Sequence, residues 1–248
     1  MRTRELYEKG MWIMIPNQET NWEKYRLSDF FHHPEGKKRY EKFPNTIIYE
    51  YYKKTSEQSN YKILCDVIDR VQSIRKIEIP KNDRCVVHLR TGDIIDNSEF
   101  TVDEFLSEKR YYQYNHDEGD YIKNEWNNYV KPMSYYATVA KKLKNIKVND
   151  VSFSYNLNFN PFATSKRRKI YQRSNSTEKS SEYAQRIKDF FLEKSFNIVK
   201  YECKDIDYDF IYMCNSCFFV PSGGGLSKTV SKIVKLKGKT VVSNRLIP

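Results

Sequence analysis

The sequence lacks long apolar runs. None approaches the ~20 residues that a membrane-spanning helix requires, and the apolar stretch near the N-terminus is too short for a secretory signal peptide. We therefore expect a cytoplasmic protein without a membrane segment.

Paired cysteines are scarce. Of five cysteines, Cys214 and Cys217 form a C-x-x-C, but the chain has no second pair to complete a zinc site. Both lie in the apolar run MCNSCFFV, which favours buried free thiols over metal ligands.

Two common phosphate-binding motifs are also missing. A P-loop requires G-x-x-x-x-G-K-[ST], and Ser222 and Ser227 occupy the positions of its two glycines. The dinucleotide motif G-x-G-x-x-G fails because Lys228 replaces its third glycine. The sequence is therefore typical of neither class.

Positive charge is abundant. Lysine and arginine number 43 against 32 acidic residues, which gives a formal net charge of +11. Such a charge indicates an anionic partner: nucleic acid, a membrane surface or a phosphorylated small molecule. The densest basic cluster, 166–173, holds few aromatic residues, so a solvated loop is favoured there over a nucleic-acid surface.

Apolar periodicity in the C-terminal half alternates between strands and helices. The predicted strands are 151–157, 196–201, CFFVP and KTVVS; the predicted helices are about 179–194, DYDFIYMCN with Asp207 as N-cap, and LSKTVSKIVKLK, ended by Gly238. This alternation predicts an α/β fold whose parallel sheet is covered on both faces.

The N-terminal half combines helices with a long polar segment. Its predicted elements are a helix over 60–77, the strand RCVVHLR, a helix opened by the capping box of Thr101 and Glu104, and a helix over 134–145 capped by Ser134. The tyrosine-rich segment 109–128 is interpreted as a surface loop. We place the domain boundary near residue 145.

The strand end in VVHLRTGDII is the first candidate site. Ligands of open α/β sheets bind beyond the carboxyl ends of strands, and Arg90, Gly92 and Asp93 fall there. Arginine offers a planar fork to phosphate, glycine lets the backbone turn, and aspartate can accept a proton. A surface Arg–Asp pair beside a core histidine, His88, explains the spacing equally well.

The glycine-rich turn PSGGGLSK is the second candidate. It joins a predicted strand to a predicted helix, where free N–H groups and the helix dipole favour anions. Three consecutive glycines, Gly223 to Gly225, keep side chains away from a diphosphate, and Ser222 and Ser227 add hydroxyls. A flexible turn is the alternative interpretation.

The doubled D-x-D of Asp205, Asp207 and Asp209 is the third candidate. Some nucleotide-sugar transferases hold a divalent metal with such a pair. Helix capping and solvation are favoured here, because no apolar strand leads directly into the pair.

The strand end H-L-R-x-G-D resembles the H-x-R-x-x-D-like motif of the fucosyltransferase-type GT-B glycosyltransferases. The run DYDFIYMCNSCFFVPSGGGLSKTVSKIV is similar to the donor-domain block of the same families. Together with YVKPMSYYATVAKKL, the pattern looks most like the small xylosyltransferase-like proteins of chloroviruses, large DNA viruses of algae whose capsid glycans these proteins decorate.

The resemblance implies a GT-B-like fold of two Rossmann-like domains facing a cleft. Residues 1–145 would bind the acceptor, and residues 146–248 would bind the nucleotide-sugar donor. The implied reaction is inverting transfer of xylose from UDP-xylose to a fucose of a viral capsid N-glycan on a glycoprotein. It would occur in the cytoplasm of the infected host cell, with no metal or other cofactor required and no nucleic acid bound.

The expected roles follow the two motifs. Asp93 would act as general base, and Arg90 would stabilise the leaving diphosphate. His88, Thr91 and Gly92 would support the turn on the acceptor side. The residues expected at the donor diphosphate, besides Arg90, are Ser222, Gly223, Gly224, Gly225, Leu226 and Ser227.

Two alternatives remain open at this point. A GDP-fucose-dependent fucosyltransferase is one, although those enzymes often carry a second arginine where this chain has Thr91. A non-enzymatic basic protein that binds nucleic acid or glycan is the other. Steep salt dependence of nucleic-acid binding, or sugar binding without turnover, would distinguish them.

Overall fold

The computed structural model describes residues 47–54, 60–96, 98, 100–107, 111–115, 120–124, 130–155, 157, 177–201 and 206–243. Its helices are α1 (Ile47–Lys54), α2 (Tyr61–Arg75), α3 (Asp93–Asp96), α4 (Val102–Ser107), α5 (Met133–Asn145), α6 (Glu178–Glu193), α7 (Ile206–Cys214) and α8 (Gly224–Leu236). Its strands are β1 (Arg84–His88), β2 (Tyr111–Asn115), β3 (Asp120–Asn124), β4 (Asp150–Ser154), β5 (Asn197–Ile198), β6 (Phe218–Val220) and β7 (Thr240–Val241).

Five strands form a parallel sheet in the order β5-β4-β1-β6-β7. Strand β1 lies at its centre, where Val87 is paired with Phe153 on one side and Val220 on the other. All five residues of β1 are buried. The prediction of an α/β fold with a parallel sheet is confirmed.

Alternate residues of β1 enter separate hydrophobic cores on the two faces of the sheet. Val86 packs in a core with side chains of α1, α2, α7 and α8, whereas Val87 packs in a core with side chains of α3, α4, α5 and α6. Each fully buried valine contributes about 1.5–3 kcal/mol of hydrophobic free energy. Helices therefore cover both faces, as a buried parallel sheet requires.

The sheet crosses the boundary that was predicted near residue 145. Strand β1 precedes that boundary, yet both of its neighbours, β4 and β6, follow it. Within the described residues the two halves of the chain thus build one doubly wound sheet, with only the β2–β3 hairpin outside it. This arrangement differs from the expected pair of Rossmann-like domains. Local sequence patterns do not indicate which distant segments hydrogen-bond to each other, so they did not predict the single sheet.

Segment 109–128 was wrongly interpreted as an irregular loop. Strands β2 and β3 pair antiparallel there, with Tyr111 opposite Asn124 and Tyr114 opposite Tyr121. The high β-propensity of tyrosine outweighs the polar composition of this segment.

Two predicted helix caps are also wrong. Pro132 is the N-cap residue of α5, and Ser134 lies inside the helix. Asp207 is the second residue of α7 rather than its cap. By contrast, the capping box is confirmed: the Thr101 N–H donates to Glu104 Oε2 at 2.7 Å, and the Glu104 N–H donates to Thr101 Oγ1 at 3.3 Å.

The predicted end of the last helix is confirmed as well. Helix α8 ends at Leu236, and Gly238 follows with φ of +71°, a conformation that glycine adopts at little cost.

Among the helices that the structure describes, none combines the length and the apolar character needed to cross a bilayer.

Candidate functional site

The strand order reverses beside β1. From β1 the chain continues to β4 and β5 on one side of the sheet, and then to β6 and β7 on the other. In open α/β sheets, ligands bind in the crevice outside the carboxyl ends of the strands at such a switch point. The crevice between the ends of β1 and β6 is therefore the place where a ligand is expected.

The two predicted motifs meet in this crevice. His88, the last residue of β1, has its Nδ1 atom 2.7 Å from Ser222 Oγ and 2.6 Å from Ser227 Oγ. The Ser222 N–H donates to Ser227 Oγ at 3.1 Å. All three residues are buried. We call them the His88 cluster; it joins the end of β1 to the turn that precedes α8.

His88 is held in its neutral form. Burial and, to a lesser extent, the positive charge of Arg90 together lower its pKa from 6.5 to about 3. Near neutral pH, Nδ1 can therefore accept a hydrogen bond from one serine hydroxyl, or donate to one in the other tautomer. A pKa this low suits a residue that fixes the turn better than one that accepts a proton in catalysis.

A second contact holds the same turn. The Tyr135 hydroxyl, in the first turn of α5, donates to the carbonyl oxygen of Pro221 at 2.6 Å. Tyr135 is buried, and burial raises the pKa of its hydroxyl above the ordinary value, so it remains a donor. Tyr135 of α5 thus fixes Pro221, before the glycines, and His88 fixes the serines on either side of the glycines.

The start of α8 offers backbone N–H groups to the crevice. Gly223 is the N-cap residue, and no side-chain cap hydrogen bond is present at this helix start in the described part of the chain. Gly224 has φ of +86°, which a residue with a Cβ adopts only at a cost. The first N–H groups of a helix have no partner inside the helix, and its dipole attracts anions.

The remaining residues of this turn differ in what they can contribute. Gly225 is exposed, whereas the Leu226 side chain is buried in the core beneath α8. Leu226 could therefore contact a ligand only through its backbone. The hydroxyl oxygens of Ser222 and Ser227 both lie within 2.7 Å of His88 Nδ1, so their observed role is to shape the turn.

Arg90 follows the strand and is half-buried. Its Nη1 atom donates to the carbonyl oxygen of Thr91 at 2.8 Å, while Thr91 itself is buried. A guanidinium carries five N–H donors in a planar fork, a geometry that suits the oxygens of a phosphate.

Gly92 forms the turn that leads to Asp93. Its φ is +84°, and its carbonyl oxygen accepts from the N–H groups of Ile95 and Asp96, both at 2.9 Å. Asp93 begins α3, but its side chain lies outside the described residues. Its role as general base remains a prediction.

Other carboxylates that could replace Asp93 are placed differently. Asp96 is buried and accepts from the N–H and hydroxyl of Ser180. Asp69 forms an ion pair with Lys237, just beyond the C-terminal end of α8, and Asp66 is exposed on α2. These two therefore lie away from the carboxyl end of β1.

The D-x-D residues serve the fold where they are described. Asp207 is fully buried and pairs with Arg75 at 3.2 Å. Asp209 accepts from the Tyr201 hydroxyl at 2.8 Å, and Asp205 lies outside the described residues. In the described ranges, no cluster of three or more His, Cys, Asp or Glu side chains could hold a metal ion.

Sequence reasoning missed three residues that shape this site: Tyr135, Ser180 and, as an anchor, Asp96. Each acts through a contact between residues 84 or more positions apart. No local pattern in the sequence indicates such contacts. Only Ser180 could have drawn attention in the sequence, because it is a polar residue on the otherwise apolar face of its predicted helix.

A separate groove of about 580 Å³ lies along the C-terminal half of α8 and the start of α2. It is open to solvent and basic; it is lined by Asn60, Tyr61, Lys62, Lys232, Lys235 and Leu236. It provides a second place where an anion could bind nonspecifically.

Comparison with known proteins adds no relative. No protein-family model matches the chain, and neither a curated protein nor a solved structure gives a significant match. The geometry of the crevice and the motifs that meet there are therefore the observations that bear on function.

Proposed function

We propose that the protein is an inverting glycosyltransferase that binds a nucleoside diphosphate sugar in the crevice between β1 and β6. The observation that carries the proposal is the His88 cluster. It brings the end of β1, which Arg90 follows, against the glycine-rich start of α8. This contact lies at the point where the strand order reverses.

The two sides of the crevice offer complementary groups for a diphosphate. Arg90 supplies a fixed positive charge on the β1 side, and the N–H groups at the start of α8 supply oriented dipoles on the β6 side. The turn is held by Tyr135 and His88, so these donors need little rearrangement when charge develops on the leaving group.

The proposed reaction is a single displacement. Asp93 takes the proton of the acceptor hydroxyl, whose oxygen forms a bond to the anomeric carbon. The bond from that carbon to the diphosphate oxygen breaks, and the diphosphate leaves with the electron pair. Arg90 and the start of α8 stabilise its charge, so the mechanism requires no metal.

The preferred donor is UDP-xylose, with a fucose of a glycoprotein glycan as acceptor. The single arginine followed by Thr91 favours this donor over GDP-fucose, which remains the alternative. Both substrates would meet at one doubly wound sheet, rather than in the cleft between two domains that the resemblance implies.

A transfer assay tests the proposal. The protein is incubated with a fucoside acceptor and, separately, UDP-xylose, UDP-glucose or GDP-fucose, and the anomeric configuration of any product is read by proton NMR. We expect a product of inverted configuration with one UDP-sugar, undiminished by a chelator. Activity lost on chelation and restored by Mn²⁺ would contradict the metal-free mechanism, and no transfer from any donor would contradict the proposed function.

A further inference from the structure

The turn after β1 is attached to α6 at Ser180, through the hydroxyl and the N–H of that residue. The Gly92 N–H donates to Ser180 Oγ at 2.8 Å, across 88 positions in the sequence. The Ser180 hydroxyl in turn donates to Asp96 Oδ2 at 2.7 Å. One oxygen thus accepts from the start of the turn and donates to its end.

The carboxylate of Asp96 completes a closed set of bonds. Its Oδ1 atom accepts from the Ser180 N–H at 2.9 Å, and its own N–H donates to the carbonyl oxygen of Gly92 at 2.9 Å. Ser180 is fully buried and Asp96 is 8% exposed. Ser180 is the third residue of α6, so the carboxylate also lies at the positive end of that helix.

The attachment is separable from the packing of α6. Lys179 Nζ donates to the carbonyl oxygens of Ser98 and Phe100 at 2.7 and 3.1 Å, and Arg186 pairs with Asp103. These contacts hold α6 against the same stretch of chain without the Ser180 hydroxyl. Loss of that hydroxyl should therefore loosen the turn and leave the helix in place.

We propose that Ser180 and Asp96 are positioning residues for the transfer reaction, which makes this inference dependent on the proposed function. Gly92 lies between Arg90 and Asp93, so fixing its N–H and carbonyl groups fixes the backbone from which both side chains project. Without the bonds to Ser180 and Asp96, the turn would still carry the Arg90 and Asp93 side chains. It would hold them in the reactive arrangement for a smaller fraction of the time.

The matched variants are Ser180→Ala, Ser180→Thr and Ser181→Ala. Alanine removes the bridging hydroxyl, threonine keeps it, and Ser181 is an exposed residue of the same helical turn. We expect Ser180→Ala to lower kcat by about ten- to a hundredfold, since small misplacements of reacting groups cost that much, with a much smaller change in donor KM. Ser180→Thr should recover most of kcat, and Ser181→Ala should match the wild type.

Amide hydrogen exchange at Gly92 gives a second reading that does not depend on turnover. Exchange at this amide should be faster in Ser180→Ala and slow in the wild type and in Ser180→Thr. If the wild type transfers sugar and Ser180→Ala keeps its kcat while Gly92 exchanges faster, the positioning role is wrong and the proposed function stands. If the wild type transfers no sugar, the proposed function fails and this inference fails with it.

Discussion

His88 Nδ1 lies 2.7 Å from Ser222 Oγ, although 134 positions separate the two residues in the sequence. This contact joins the two segments that the sequence indicated separately as phosphate-binding candidates. Burial and the nearby positive charge of Arg90 lower the pKa of His88 and so keep this imidazole neutral.

The neutral state of His88 predicts how stability depends on pH. Its pKa is about 3 in the folded protein, below its ordinary value of 6.5, so the unfolded chain binds more protons between those values. The stability that the neutral ring contributes is fully present above about pH 6.5 and is lost as the pH falls toward 3. In that window the free energy of unfolding falls by at most about 1.4 kcal/mol per pH unit. Urea midpoints measured between pH 7.5 and 4 should fall less steeply for His88→Gln than for the wild type. Parallel curves would show that His88 does not titrate in this way.

Substitution by alanine should destabilise the protein at Gly224 but not at Gly225. Gly224 has φ of +86°, where a Cβ is strained, so Gly224→Ala should lower the free energy of unfolding by about 1–2 kcal/mol. Gly225 lies in α8 without a positive φ, so Gly225→Ala should leave that free energy unchanged or raise it by up to about 1 kcal/mol. Thermal unfolding of both variants provides the comparison. Equal losses would contradict the described geometry of the turn.

Arg90→Ala should weaken binding of free UDP. Loss of a charge-assisted hydrogen bond costs about 1.5–3 kcal/mol, which corresponds to roughly a ten- to hundredfold higher Kd. Calorimetric titration measures this, with Arg186→Ala as the control because Arg186 is a partly exposed arginine on α6 that pairs with Asp103. Equal affinity of the Arg90 variant and the wild type would remove Arg90 from the diphosphate site.

Asp93→Asn should separate chemistry from binding. The amide cannot accept the proton, so kcat should fall by about 10²- to 10⁴-fold, while the Kd for UDP stays roughly unchanged. Asp103→Asn, an exposed aspartate on α4, should retain normal turnover. Near-normal turnover in Asp93→Asn would exclude Asp93 as the base.

The sequence predicted local structure well where a periodic apolar pattern coincided with a boundary residue. Helix α8 shows this: its place in the sequence and its end before Gly238 were both predicted from the sequence. The position of β1 between β4 and β6 could not be predicted, because strand order depends on pairing between distant segments. The hairpin of β2 and β3 was missed because polar composition was weighed above the β-propensity of tyrosine.

The candidate site shows the same division. Arg90, Gly92 and the glycine-rich turn were indicated by residue type and by their place after predicted strands. Tyr135 and Ser180 were not, since each acts through hydrogen bonds to groups that are distant in the sequence. Their contributions follow from tertiary structure alone.

We propose that the end of β1 and the start of α8 form one diphosphate site. Its most direct test is a titration of ¹⁵N-labelled protein with UDP, and in parallel with GDP, followed by amide chemical shifts. The amides of Thr91 and Gly92 should shift together with those of Gly223 to Gly225 and give one Kd for one of the nucleotides. The proposal of one diphosphate site would be contradicted if neither nucleotide shifted both groups of amide signals. It would also be contradicted if the shifted amides lay in the groove beside Lys62 and Lys232.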